Sequence, residues 1–361
     1  MLVKTVSLVV VIAFLSSFFS VKSNARDVSV SASSAVLMVA STGEILYSKN
    51  PTEKRGIAST TKIMTSIVAL ENASLTDTIT VSFDDINVEG TSMGLKEGDT
   101  IDLLSLVKGM LLTSGNDAAN VTATLVGGSK EQFASLMNKK AEAIGMTDSS
   151  FKNPSGLTED GHYSCAYDMA LLGSYAIGNP VFRSICSSLK AEVTKNDGDK
   201  VILYNHNKLL TKYEGAFGIK TGFTKASGRC LVSAVERDGV TLVAVTLNAY
   251  DDWNDHIRLY DYYFPLISKQ RPSFSVENIN IPVVNSHVKS VTPVCSSELF
   301  VPVYKATNDL KVKCFLPHFL YAGVKKGDYL GWVELQNKNG EIIKRVYLVS
   351  SCDAPLQEYQ K

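Results

Sequence analysis

The stretch "GIASTTKIMTSIVAL", Gly56 to Leu70, decides how the rest of the chain is read. Ile63, Met64, Ile67, Val68 and Leu70 recur at helical spacing and predict a buried helix from about Thr60 to Asn72. Lys62 falls in its first turn, three residues after Ser59, so the two side chains share a face and can touch. An ordinary reading makes Ser59 an N-cap and Lys62 a surface residue whose stem covers apolar neighbours. Two facts weigh against it. A capping box wants Glu or Gln at the third helical position, and Lys has the wrong sign. A cation there also faces the positive end of the helix dipole, at a cost of a few tenths to about 1 kcal/mol. The same costs suit catalysis. Dipole and desolvation both disfavour ammonium, so a neutral amine becomes accessible and can take the proton of an attacking hydroxyl.

Working outward, Ala35 to Ser41 and Glu44 to Tyr47 read as two strands around Thr42-Gly43. Further helices are expected over Leu103 to Leu112, Asp117 to Leu125, from Ser129 to about Ile144, and over Tyr167 to Ile177, with a stop near Pro180. Ser129 and Gln132 supply a capping box. Val201 to Tyr204 is a short strand. Arg229 to Glu236 and Val240 to Asn248 flank Asp238-Gly239, a strong hairpin signal, and Trp253 to Phe264 closes the region as a helix. Strands at both sequence ends with helices between them imply a sheet assembled from distant segments. After Lys269-Gln270-Arg271-Pro272 only short β-rich runs follow: Val276 to Val284, Ser290 to Val294, Leu299 to Val303, Lys311 to Leu316, Tyr329 to Leu335 and Ile342 to Val349. They predict a separate small all-β domain over 272–352, of sandwich type.

Composition narrows the function. With 36 Lys plus Arg against 36 Asp plus Glu, the chain has no global field to gather phosphates, which argues against nucleic acid as a partner. Lys4, the apolar run Val6 to Phe19 and the small residues around Ser23-Asn24-Ala25 read as a secretory signal peptide over 1–25, with retention as an anchor the alternative. The expected location is therefore extracytoplasmic, at the cell wall or the outer face of the membrane. The final "SSCDAPLQEYQK" has no sustained apolar face, so peripheral membrane association would rest on the leader. Six scattered cysteines and five scattered histidines lack ligand spacing, so no metal site is expected, and buried free thiols are preferred over a Cys165–Cys186 bridge. The histidines are read as structural or surface residues.

Two further segments give the Ser59–Lys62 pair its meaning. "TSGNDAAN" holds Ser114-Gly115-Asn116 before a helix, and "GIKTGFT" holds Lys220-Thr221-Gly222 before the hairpin. The order and spacing of S-x-x-K, S-x-N and K-T-G resemble the penicillin-recognising serine enzymes. "GMTDSSFKNPSGL", "HYSCAYDMALL", "NHNKLL" and "KTGFTKASGRCLVSA" are similar to the low-molecular-mass D-alanyl-D-alanine carboxypeptidases over about Ser31 to Phe264. The resemblance implies an α+β fold over 26–268: a β-lactamase/penicillin-binding-protein-like domain with a five-stranded antiparallel sheet, flanking helices and a helical subdomain. It implies removal of the terminal D-Ala from peptidoglycan stem pentapeptides through an acyl-enzyme, inhibited by β-lactams, with no cofactor.

By the same resemblance Ser59 is the nucleophile and Lys62 the general base. Ser114 relays the proton to the leaving amine, hydrogen-bonded by Lys220, which also lends positive field. Asn116 holds Lys62 and contacts the substrate backbone, and Thr221 meets the terminal carboxylate. Gly222 lets the substrate strand approach, and the N–H groups of Ser59 and Phe223 receive the oxyanion. Asp117 and Asn120 read as helix-start and packing residues, Arg258 as an exposed helix arginine, and Cys230 as a core residue. Three alternatives stay open, one of them endopeptidase activity on cross-links within the same fold, which would require room beyond the terminal residue. A serine β-lactamase would need an added carboxylate base, for which "LTEDGHYS" is a poor match, and a catalytically silent wall-binding module would not need the intact motifs.

Overall fold

The computed structural model describes residues 28–196, 198–304, 310–336, 340 and 342–357; the leader read over 1–25 lies outside them. Strands β1 (Ser34–Val39) and β2 (Ile45–Lys49) form the hairpin expected at the start. Helix α1 (Lys62–Asn72) follows, then α2 (Leu103–Lys108), α3 (Asn116–Gly127), α4 (Lys130–Ala143), α5 (Ala166–Ala176) and α6 (Pro180–Cys186). Strands β3 (Ala216–Thr224), β4 (Gly228–Arg237) and β5 (Val240–Leu247) return, and α7 (Asp252–Tyr263) packs back. The five strands make one antiparallel sheet in the order β2-β1-β5-β4-β3, so β1 pairs with a strand some two hundred residues later.

The alternation of β1 shows where the core sits. Val36 and Met38 face the layer of α1 and α5, while Ala35, Leu37 and Val39 face α7. All six residues are buried because helices cover both sides of the sheet. Helix α1 is enclosed further than an amphipathic stripe requires. Every residue from Lys62 to Ala69 is buried, with Leu70 only partly so, which makes this the central helix of the molecule.

Several local expectations need correction. The first helix does not start at Thr60: Ala58–Thr61 is a 3-10 turn, and Ser59 lies inside it rather than capping α1. The helix expected to Leu112 is α-helical only to Lys108, and Gly109–Thr113 widens into a π turn. Pro180 opens α6 instead of merely ending α5. Its missing N–H falls where no helical partner exists, and the Asn179 side chain accepts the N–H groups of Val181 and Phe182 at 3.0 and 3.1 Å. Asp199–Tyr204 pairs with Lys190–Lys195 in a hairpin that the sequence reading only half found. The Ser129 cap and the Asp238-Gly239 turn, with φ of 50° and 74°, stand as expected.

The C-terminal region is all β among its described residues. Its main sheet orders Pro293–Cys295, Ile342–Ser350, Tyr329–Gln336 and Lys311–Phe315, and a smaller one orders Ser290–Val291, Ile281–Val284 and Leu320–Tyr321. Ser268–Gln270, read as connecting chain, instead pairs with Val301–Val303. Phe300 from this region joins the core between α7 and the sheet. All six cysteines are free, and among the described residues no helix is long and apolar enough to cross a membrane.

Candidate active site

The three sequence motifs meet in one cleft of about 330 Å³, bordered among others by Ser59, Ser114, Thr221, Gly222 and Phe223. Ser59 reaches it from the 3-10 turn at the head of α1. The strand β3 is its second wall, and the turn between the π segment and α3 is its third.

Lys62 is fully buried, and its Nζ has three neighbours: Asn116 Oδ1 at 2.7 Å, the Ser155 carbonyl at 2.7 Å and Ser59 Oγ at 3.0 Å. The chemistry of those neighbours fixes their roles. A carbonyl oxygen only accepts. The Asn116 amide is oriented by donating from Nδ2 to the Glu89 carbonyl at 2.6 Å, so its oxygen must be the end that faces Lys62. A neutral amine therefore gives its two hydrogens to Asn116 and Ser155, and its lone pair is left for the Ser59 hydroxyl. Burial holds the Lys62 pKa well below its usual 10.5, helped by the charge of Lys220 and opposed by Asp117.

Lys220 is also buried, and desolvation lowers its pKa to about 7. Its amine donates to the Thr221 carbonyl at 3.0 Å, and no hydrogen bond joins it to the Ser114 hydroxyl, contrary to the expected arrangement. Ser114 sits at φ 64°, a left-handed conformation that carries the chain from the π turn into α3, and its carbonyl accepts from Thr91 Oγ1 at 2.7 Å. Gly222 also has a role inside the chain. A Cβ there would stand 3.0 Å from the N–H nitrogens of Ser59 and Thr60, so its bareness lets β3 close on the turn that carries Ser59.

Some contributors were not foreseen. The Ser155 carbonyl is brought to Lys62 by the loop "NPSG", where Thr65 Oγ1 donates to Pro154 O at 2.6 Å and Gly156 N donates to Asn153 Oδ1 at 2.8 Å. Asp117 does more than begin a helix. Its carboxylate accepts the N–H groups of Met93, Gly94 and Leu95 at 2.9 to 3.1 Å, and so holds the loop whose Glu89 and Thr91 brace Asn116 and Ser114. Backbone acceptors and loop anchors leave no residue-type signal, so only the preceding resemblance over "GMTDSSFKNPSGL" hinted at them. Among the histidines, His162 and His256 are buried and structural, whereas His206 lines the cleft. Arg258 is outside the cleft and paired with Asp251 and Asp255, while Arg229 is inside it. Cys230 is buried, as read.

Comparison with known proteins agrees with the geometry. Residues 20–251 match the family model described as D-alanyl-D-alanine carboxypeptidase. The chain is 30% identical over 353 residues to the D-alanyl-D-alanine carboxypeptidase DacF of Bacillus subtilis, covering 93% of this chain and 89% of the relative. It is 30% identical over 355 residues to DacC of Escherichia coli, covering 93% and 88%. Among solved structures, DacD from Francisella tularensis superposes with a TM-score of 0.62 at 27% identity, over 91% of this chain and 95% of that one. The carboxypeptidase from Mycobacterium tuberculosis gives 0.63 at 30% identity, over 66% and 92%. With its serine and buried lysine in one cleft, and with near full-length likeness to these proteins, the chain belongs to the D-alanyl-D-alanine carboxypeptidase family of serine hydrolases.

Proposed function

We propose that Ser59 is the acylated nucleophile and Lys62 its general base in hydrolysis of a stem peptide ending in D-Ala-D-Ala. The observation that carries this reading is the buried Lys62 amine, whose two acceptors leave the lone pair for Ser59 Oγ at 3.0 Å. The Ser59 oxygen bonds to the carbonyl carbon between the two D-alanines as its proton passes to Lys62. The N–H groups of Ser59 and Phe223 receive the developing oxyanion. The C–N bond then breaks, and the proton reaches the leaving amine through the Ser114 hydroxyl. Water releases the tetrapeptide and restores Ser59. Thr221 meets the terminal carboxylate, and the Lys220 charge supplies positive field. Proximity and orientation account for much of the rate in such a preassembled site.

β-Lactams present the same carbonyl beside a carboxylate and acylate Ser59 in this reading. The β-lactamase alternative is disfavoured by the carboxylates at hand. Glu159 is held by Asn153 Nδ2 at 2.8 Å outside the cleft, and Asp252, in the cleft lining, is tied to Arg229. Slow release of the acyl-enzyme is therefore expected. The apolar run Val6 to Phe19, read as a leader, supports a reaction outside the cytoplasm. The test is intact-mass detection of a penicilloyl adduct mapped to Ser59, lost in Ser59→Ala. An adduct elsewhere, or rapid turnover of benzylpenicillin, sinks the assignment.

A further inference from the structure

The loop that carries Ser155 is a closed excursion of the chain. At its neck Ser150 and Tyr163 each donate an N–H to the other's carbonyl at 2.9 Å. Just beyond, Arg55 and Ser164 do the same at 2.8 and 3.1 Å, which ties the neck to the segment entering the Ser59 turn. Near its tip the loop presses on that turn. Gly156 has φ 85°, and a Cβ there would stand 2.0 Å from the Ala58 carbonyl oxygen and 2.7 Å from Thr61 Oγ1. So close an approach has to be held, because the Ser155 carbonyl meets Lys62 Nζ at 2.7 Å only while the loop stays down.

His162 is placed to hold it. Its Nδ1 accepts the Lys152 N–H across the loop at 3.1 Å, and its Nε2 lies 2.9 Å from the hydroxyl of Thr61, the residue before Lys62. A ring nitrogen that accepts carries no proton, so the neutral ring bears its hydrogen on Nε2 and donates it to Thr61. Burial keeps the ring in that form, with a pKa lowered to about 4 against the opposing charge of Glu159. The Phe151 ring packs edge-on at 5.8 Å and 88°, which fixes the imidazole plane. One imidazole thus joins two segments that both end on the Lys62 amine, since Lys152 stands three residues before Ser155. The ring itself is not part of the cleft lining.

We propose that His162 is a positioning residue for acylation: by bridging Lys152 and Thr61 it clamps the Ser155 carbonyl onto Lys62 and keeps the amine's lone pair on Ser59. The proposal rests on the reading of Ser59 and Lys62 as nucleophile and base, and names what holds them in place. Without the bridge the loop lifts, one amine hydrogen loses its acceptor, and the lone pair loses its single direction. The cleft walls that bind substrate keep their shape. The loss therefore falls on the acylation step and spares the binding step.

The experiment follows acylation by a fluorescent penicillin in stopped flow, resolved into the dissociation constant of the encounter complex and the first-order acylation constant. For His162→Leu the acylation constant should fall on the order of 30- to 100-fold, the scale of a small misplacement of reacting groups, with the dissociation constant within about threefold. His162→Gln, whose amide both donates and accepts, should recover most of the rate. Thr61→Val removes one end of the bridge and should lose roughly as much as His162→Leu, and the two changes combined should cost no more than one. An acylation constant for His162→Leu within about threefold of the wild type, a loss that falls on the dissociation constant instead, or losses that simply add, overturns the proposal. Should His162→Leu lack a cooperative melting transition, the test is read on Thr61→Val, where parity with the wild type is the overturning result. If the wild-type protein carries no adduct on Ser59, the underlying nucleophile assignment fails and takes the clamp with it, an outcome distinct from a wild type that acylates and a variant that does so equally well.

Discussion

Two clusters in this protein pair a serine with a buried nitrogen base, on opposite sides of the same sheet. In the cleft, Lys62 Nζ lies 3.0 Å from Ser59 Oγ. Behind the sheet, His256 Nδ1 lies only 2.6 Å from Ser233 Oγ, with Tyr260 OH 2.7 Å from the same oxygen and Thr246 Oγ1 2.9 Å from His256 Nε2. By distance alone the second pair is the better dyad. It is nevertheless sealed, since Ser233, Thr246, His256 and Tyr260 are all fully buried between β4, β5 and α7. Both ring nitrogens and the hydroxyl are already engaged, and burial holds His256 neutral, with a pKa of about 3. A nucleophile needs an open path and an uncommitted lone pair beside it. Ser59 has both, and Ser233 has neither.

The sharpest way to break this comparison is to remove each hydroxyl in turn. Ser59→Ala should lower kcat on a D-Ala-D-Ala peptide by on the order of 10⁴-fold and abolish penicillin labelling, whereas Ser233→Ala should keep the label. Its cost should appear in the melting curve, as about 1–3 kcal/mol for leaving buried partners unpaired. Loss of labelling in Ser233→Ala with an intact melting transition would erase the distinction.

Acid separates the clusters next. An unfolded chain protonates its histidine below about pH 6.5, but the folded His256 stays neutral until about pH 3, so protons favour the unfolded state between those values. Stability should therefore be full above pH 6.5 and decline by a few kcal/mol as the pH falls through that window. Denaturant melts of the wild type and His256→Gln should converge at low pH; parallel curves would assign the acid loss to other groups.

Asp117→Asn probes the scaffold of the cleft. Its amide would turn N–H groups toward the N–H donors of Met93, Gly94 and Leu95, loosening the loop that braces Asn116 and Ser114. Stopped-flow acylation by a fluorescent penicillin should slow roughly 10- to 30-fold, with the sealed cluster unaffected. An unchanged rate would show that the loop stands without that carboxylate.

The smallest effect concerns Lys220. Its amine is charged below about pH 7 and neutral above, so its field fades on the alkaline side. The kcat/KM profile should fall there by about tenfold, while its acid limb reports protonation of Lys62. Lys220→Arg, which cannot discharge in this range, should extend the alkaline limb upward. An identical profile would remove Lys220 from the electrostatics of the site.

The sequence made much of this legible. Periodicity located α1, and Asp238-Gly239 marked the β4–β5 hairpin, because both signals follow from backbone geometry over a few residues. The spacing of Ser59 and Lys62 put them on one helical face for the same reason. Pro180 misled because proline both ends one helix and begins another, and only the Asn179 cap distinguishes these. The approach of Gly222 to the Ser59 turn was not legible, because composition cannot say which backbone will come close.

What the chain alone determined were the elements and the residue types of three motifs, since these are properties of short segments. Tertiary structure decided which groups became partners. Lys62 takes its third neighbour from Ser155, 93 residues away, through a carbonyl that every residue possesses. The Arg229–Asp252 pair and the choice of Ser59 over Ser233 likewise depend on what each side chain faces once the sheet and helices have packed. A hydrogen-bond donor or acceptor is the same in every sequence context; burial and access, set by distant segments, decide whether it becomes scaffold or chemistry.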